Sequence, residues 1–528
     1  MRKITLLALI GGLFTLVSAQ KEKNQVDKDW YLQPTSKHVN GIDLDKAYEF
    51  LKDKKPKPII VAVIDGGTDI NHEDLVNVLW HNQGEIPFNG VDDDQNGYID
   101  DTVGWNFIGG ADGGMVGPDN LEKTRLLRNL NKQFAGSLSA DDLNDPVRRK
   151  QYELYQSLKR DINENYARVN QSYENLKKTK DKLDELTNAT GKKEPTSQDY
   201  LEEINKGDYG KMGEAIKDIL KSGEKFSALY NQIKGSYEYY KNQTYNYDVN
   251  FDPRNIVGDD YDNPNDRNYG NNNVAGPDAG HGTHVAGIIA AQRGNDKGMD
   301  GVSNAAKIMV VRVVPNGDER DKDVANGIRY AVDNGARVIN MSFGKSFSWD
   351  KAAVNEAVKY AADKGVLLVH AAGNDNKDND ENPNYPNDSL GNNTFAANWL
   401  EIGASQLECK KLPTDFSNYG KNQVDIFAPG YQIYSSTPDN NYEFFNGTSM
   451  AAPVTAGLAA LIWSYYPSLT AVQVKQVIME SGITHKNKVP VPNDGEKGPK
   501  TKFTNLSVSG KVINAYKAVQ LADKMVNK

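Results

Sequence analysis

Apolar residues along this chain of 528 positions follow two different rhythms. Over residues 58–120 and again over 251–525, short β-branched runs alternate with amphipathic stretches of helical period. Pro58-Ile59-Ile60-Val61-Ala62-Val63-Ile64 is continuous and apolar, as a strand buried on both faces of a parallel sheet requires. Further strands are expected at Lys307–Val314, Ala336–Met341, Val366–Ala371, Trp399–Ala404 and Val424–Phe427. Helices are expected near His281–Gln292, Asp323–Asn334, Asp350–Lys364, Thr448–Tyr465, Ala471–Ser481 and Ile513–Lys524. Such a βαβ succession predicts an α/β fold: a mostly parallel sheet with helices on both faces.

Between these regions the rhythm changes. From about Leu121 to Tyr245, single apolar residues recur at three- and four-residue steps amid Lys, Glu, Asn and Gln. Tyr155, Leu158, Ile162, Tyr166, Val169, Tyr173, Leu176, Leu183 and Leu186 form one narrow stripe. Met212, Ile216, Ile219, Phe226, Leu229, Ile233, Tyr237 and Tyr240 form a second, and Thr190-Gly191 to Pro195 breaks the pattern between them. An antiparallel α-helical hairpin inserted at 121–250 is expected, either as a solvated spacer or lid, or as an arm that docks a protein partner.

Composition narrows the setting. Hydrophobic content is 38% and mean hydropathy −0.66, low values to which the polar insertion contributes. A net charge of −9 argues against nucleic acid as a partner. Met1-Arg2-Lys3, the apolar run Ile4–Val17 and Val17-Ser18-Ala19 have the three parts of a secretory signal, too short to cross a bilayer comfortably. Cleavage after Ala19 is expected, with a secreted or periplasmic product and no membrane span in the mature chain; an N-terminal anchor helix is the competing reading. Cys409 is the one cysteine, so no internal disulfide forms and no cysteine follows the leader to carry a lipid.

Several motifs fall at strand ends and helix starts. Asn446-Gly447-Thr448-Ser449-Met450-Ala451-Ala452-Pro453 opens an apolar helix and puts Ser449 on its first turn, as a nucleophile or as a helix cap. Asp65 ends the first strand, where open α/β sheets carry their sites. His281, between Gly280 and Gly282, is a general base or a capping histidine, whereas His284 is expected to pack within its helix. Asn374 ends a strand, where its carboxamide N–H meets an oxyanion or closes a turn. Asp92, Asp94, Asn96, Tyr98 and Asp100 match the first positions of a calcium loop, although Val103 stands where an EF-hand carries its bidentate Glu; an Asx-rich turn without metal is the alternative.

Val61–Gly67, His281–Gly287 and Gly447–Pro453, in that order, resemble the three active-site blocks of the subtilisin-like serine peptidases, and Ala372-Gly373-Asn374 is similar to the family's oxyanion block. The likeness covers residues 58–110 and 255–525. It implies the subtilisin-like three-layer fold, protein or peptide substrates and structural calcium. By position it makes Asp65, His281 and Ser449 the catalytic triad and Asn374 the oxyanion donor. Ser342, Phe343, Gly344 and Gly373 become substrate contacts, and Asp74 a ligand of a second calcium ion. The layout expected is a leader at 1–19, an extension at 20–57, a catalytic domain at 58–120 and 251–525, and the insertion. Two rivals stand beside the endopeptidase reading. One is a non-catalytic binding protein on a peptidase scaffold; the other is a narrow processing enzyme or exopeptidase.

Overall fold

The computed structural model describes residues 26–36, 39–134, 144–492 and 499–527. The leader-like segment 1–19 lies outside these residues. The chain divides into two compact units, residues 127–250 forming one and residues 27–126 with 251–528 the other.

The larger unit is built on a nine-stranded sheet. Its strands, in chain order, are β1 (Ile59–Asp65), β2 (Gly104–Asn106), β3 (Ala306–Arg312), β4 (Val338–Met341), β5 (Leu367–Ala371), β6 (Trp399–Ser405), β7 (Ile426–Pro429), β8 (Ile483–Thr484) and β9 (Lys511–Val512). In space they run β8-β9-β7-β6-β5-β4-β1-β3-β2, and every pair is parallel except β8 with β9. The expected strands agree with β3 to β7 to within about two residues, as such boundaries allow. β2 is not among them: three residues between glycine-rich turns carry no period.

Helices cover both faces. Helix α1 (Gly280–Ala290) and helix α4 (Thr448–Tyr465) pack together on one face; α2 (Asp321–Asp333) and α3 (Lys351–Asp363) pack together on the other. Ala62, Ile64, Met309, Val311, Ile339 and Met341 meet Val324, Ile328, Val354 and Val358 on the second face. The intervening Val61, Val63, Ile308, Val310 and Val338 turn to the first, as strand period dictates. All of these side chains are buried, so both layers are sealed by apolar area.

Residues 27–57 are less peripheral than an extension implies. Trp30 and Tyr31 are fully buried, with Trp30 Nε1 donating to the Gln432 carbonyl at 3.1 Å. Helix Leu44–Leu51 packs against the late helix Ala515–Val526. There Ala515 N donates to the Ile42 carbonyl at 2.7 Å and Asn514 Nδ2 to the Asp43 carboxylate at 2.7 Å.

The smaller unit has the long first arm that its stripe predicts. Helix Pro146–Ala189 runs for 44 residues, about 66 Å, capped by the Asp145 side chain with Pro146 in its first turn. The second arm is divided. Helix Gly210–Lys221 stops at Ser222-Gly223, with Gly223 at φ 91°, and helix Phe226–Tyr247 follows. A glycine just past a helix end satisfies its last carbonyls in a conformation that other residues resist. Helix Ser197–Lys206 and helix Gly210–Lys221 build a small core at the tip: Leu183, Leu186, Tyr200, Ile204, Ile216 and Phe226, with the Tyr200 and Phe226 rings stacked at 3.7 Å.

Candidate active site

The sheet order reverses at β1: the chain passes to β3 on one side and then to β4 on the other. That switch point opens a crevice at the carboxyl ends of the strands, where α/β proteins place their ligands. Asp65 ends β1, Ser342 follows β4 and Gly373-Asn374 follow β5. All three therefore reach the crevice for the same topological reason.

Helix α1 delivers the histidine. His281 Nδ1 lies 2.8 and 3.0 Å from the two carboxylate oxygens of Asp65, and the Gly66 N–H holds Oδ1 at 2.7 Å. Gly282 does more than clear space beside the imidazole. A Cβ there would sit 2.1 Å from the Gly67 carbonyl oxygen, so only glycine lets the helix start this close to β1. Burial pushes the His281 pKa down, but the charge and hydrogen bond of Asp65 outweigh it and leave the pKa above the ordinary value. His284 has no such role. It is buried, stacked on Phe445 at 4.2 Å, and its pKa is pushed down to about 3 by burial.

Helix α4 delivers the serine. Its N-cap is Gly447, so Ser449 stands inside the first turn and is not the cap. Ser449 Oγ donates to the Ser342 carbonyl at 3.0 Å, and Ser342 Oγ donates to the Ser449 carbonyl at 2.9 Å. Among the described residues no hydrogen bond joins Ser449 to His281. Catalytic hydrogen bonds are often long or poorly aligned without substrate, so the absence of this one does not exclude the pair. Ser342 and Phe343 line one cavity of about 220 Å³ with Asp65, His281 and Val314.

Asn374 is oriented by Thr448. The Thr448 N–H reaches Asn374 Oδ1 at 2.8 Å and Thr448 Oγ1 reaches it at 3.0 Å, while Gly373 N–H donates to Thr448 Oγ1 at 3.1 Å. A backbone N–H can only donate, so the contacted atom is the oxygen, and Nδ2 points elsewhere. A Cβ placed on Gly447 would lie 3.5 Å from Ser449 N, 3.6 Å from Asn374 Nδ2 and 3.7 Å from Asn374 Oδ1, so the carboxamide and the Ser449 N–H border one small volume that glycine leaves open. Thr448 carries no motif signal of its own in the sequence; its place between Gly447 and Ser449 is the available clue.

Gly344 and Gly373 are also fitted to their neighbours: a Cβ on Gly344 would lie 2.5 Å from Asn384 Oδ1, and one on Gly373 2.5 Å from Asn418 Nδ2. Phe343 packs partly into the core, edge-on to His370 at 6.2 Å.

The acidic loop is assembled with one change of cast. Oxygens of Glu85, Asp92 and Asp94 lie within 4.8 Å of one another, a donor set that suits a hard divalent cation. Glu85 precedes the motif, and sequence spacing alone does not reveal it. Asn96 Oδ1 accepts from Tyr98 N at 2.8 Å, and the Tyr98 ring is buried 5.1 Å from those of Trp105 and Tyr330, which leaves only its carbonyl for an ion. Asp100 is engaged elsewhere, its carboxylate taking the N–H groups of Asn89 and Gly90 at 3.1 and 2.9 Å. Asp74 is fully buried and hydrogen-bonded by Asn295 Nδ2 at 2.5 Å and the Tyr442 hydroxyl at 3.0 Å, neither of which belongs to this loop.

The profile of the Subtilase family matches residues 57–506, most of the chain. The chain belongs to the subtilase family. It is 41% identical to thermitase of Thermoactinomyces vulgaris over 186 residues, which is 35% of this chain and 61% of that protein. It is 42% identical to the cell wall-associated protease of Bacillus subtilis (40% of this chain, 22% of that protein), and 37% identical to subtilisin DY of Bacillus licheniformis (37% and 68%). The match thus spans less than two thirds of the first two relatives. Among the described residues no helix is long and apolar enough to cross a membrane.

Proposed function

We propose that this subtilase is an exported serine endopeptidase that cleaves peptide bonds through an acyl-enzyme. What supports the reading is the Asp65–His281 hydrogen bond at the switch point, with Ser449 in the first turn of α4 and its Oγ on the carbonyl of Ser342, which lines the same cavity as Asp65 and His281. Ser449 Oγ attacks the scissile carbonyl and gives its proton to His281 Nε2. Asp65 holds Nδ1 and stabilises the imidazolium; Ser449 N–H and Asn374 Nδ2 take the oxyanion. The imidazolium then protonates the leaving amine, and water releases the acyl group by the same steps. Calcium bound by Glu85, Asp92 and Asp94 would brace the loop between β1 and β2, and takes no part in the chemistry. The leader-like pattern Met1–Ala19 supports export.

Labelling with a fluorophosphonate tests the proposal. A covalent adduct on Ser449, lost in Ser449→Ala, is expected; folded, calcium-loaded protein that takes no label would favour the non-catalytic binding reading instead. Cleavage of internal bonds in a peptide library separates the endopeptidase from an exopeptidase.

A further inference from the structure

The segment that leads away from Ser342 ends on Lys345, whose side chain has no solvent exposure. An ammonium has three N–H donors, and here three acceptors meet them: the Glu122 carboxylate at 3.0 Å, the Asp321 carboxylate at 2.7 Å and the Glu319 carbonyl at 2.7 Å. Burial pushes the lysine's pKa down, but Glu122 and Asp321 outweigh it and hold the pKa above its ordinary value, so the side chain stays charged.

These partners come from the other wall of the crevice. Glu319 belongs to the loop after β3, whose Pro315 and Asn316 line the catalytic cavity opposite Ser342 and Phe343; Asp321 opens α2. Glu122 opens helix Glu122–Phe134 and is fixed in turn, its N–H on the Asp318 carboxylate at 2.7 Å and its own carboxylate on Arg125 at 2.6 Å. Lys345 therefore joins the two walls by ionic contacts buried from water.

Strand geometry shows what this pin controls. Lys345 exchanges both backbone hydrogen bonds with Tyr385, at 2.9 Å each. In extended chain the N–H and C=O groups of alternate residues face the same edge, so Phe343 shares the Tyr385 edge while Ser342 and Gly344 face the other way. The Ser342 carbonyl does meet Ser449 Oγ on that side. Gly344 N–H and C=O have no hydrogen-bond partner among the described residues. This open edge can take an extended substrate as an added strand. We infer that Lys345 is a positioning residue for the acyl side of the substrate: without touching substrate, it fixes the Gly344 edge against the opposite wall. Three charge-assisted hydrogen bonds hold one geometry where apolar packing would let the segment slide. The inference rests on the peptidase reading above.

The test is a series of substrates with one leaving group and one, two or three acyl-side residues. Wild type should gain in kcat/KM as the acyl side lengthens enough to reach Gly344. In Lys345→Met the three-residue substrate should lose at least about ten-fold more than the one-residue substrate, mainly through KM, because strand pairing is uniform binding. Glu122→Gln, which keeps shape and removes one charge, should show the same trend more weakly and serves if Lys345→Met does not fold. A folded variant with a lower Tm but the wild-type gain with length overturns the inference and leaves the network a purely structural role. Wild-type protein that hydrolyses none of the series overturns the peptidase reading itself.

Discussion

Thr448→Val separates orienting Asn374 from merely possessing it. The substitution keeps the volume and the backbone N–H but deletes Oγ1, and with it two hydrogen bonds, to Asn374 Oδ1 and from Gly373 N. At roughly 0.5–1.5 kcal/mol each, their loss should lower stability by about 1–3 kcal/mol. The effect on catalysis is worked from what remains. Removing an oxyanion-hole donor altogether costs about 2.7–4 kcal/mol, a magnitude measured in a subtilisin and borrowed here. Asn374 Oδ1 keeps the stronger of its two tethers, the Thr448 N–H at 2.8 Å. About half of the full cost is then expected, a fall in kcat of roughly 10–30-fold. KM should stay constant, because the oxyanion exists only in the transition state. Steady-state hydrolysis of a short chromogenic peptide, with Thr448→Ser and Asn374→Leu as controls, provides the readout. Unchanged kcat in Thr448→Val beside a strong loss in Asn374→Leu would refute the tether argument, and so would a loss confined to KM.

Because Asp65 raises the His281 pKa, the acid limb of kcat/KM should lie above the ordinary histidine value of about 6.5. The base must be neutral, so activity falls as pH drops through that raised pKa. Asp65→Asn should move the limb downward and cut kcat about 10⁴-fold; a limb that does not move would refute the assignment. Calcium at 100 times its Kd should stabilise the fold by about 2.7 kcal/mol, read as a Tm that falls with chelator, and Glu85→Gln should weaken that response; an unchanged Tm with chelator removes the metal site. Replacing residues 127–250 by a short linker should leave hydrolysis of a one-residue ester largely intact, since Arg128 Nε lies 2.9 Å from the Val249 carbonyl and the two ends are close. A cut at Lys123 would also remove Arg125 and disturb the Glu122 contacts.

The sheet was legible in the sequence because β1 and β3 to β7 are buried on both faces, and burial on both faces writes itself as a short, mostly apolar run. Helices Thr448–Tyr465 and Ala471–Ser481 were found to the residue for a related reason: Gly447 caps one and the Thr470/Gln473 capping box opens the other. The blocks around Asp65, His281 and Ser449 were legible because their flanking glycines are demanded by backbone contact, as Gly282 against Gly67 shows. What stayed hidden are pairings between distant positions. Glu85 joins Asp92 and Asp94 through a turn, Thr448 finds Asn374 across the crevice, and Lys345 finds Glu122 over a separation of 223 residues. No local period or spacing records a contact of that kind. The antiparallel pair Ile433–Thr437 and Asn441–Phe445 was hidden too, because its first strand is buried yet made mostly of hydroxyl side chains, Tyr434, Ser435, Ser436 and Thr437.

The docking of helix Leu44–Leu51 onto helix Ala515–Val526 bears on how such a fold is assembled. A ribosome-bound or C-terminally clipped chain already carries Asp65, His281 and Ser449, yet lacks the surface on which Ile42 and Asp43 settle. The earliest segment of the domain is thus closed by the latest, and the fold is completed only once the whole domain is present. Under the peptidase reading, that order of assembly is a timing device: residues carrying the candidate triad are made before the last packing of the unit can form.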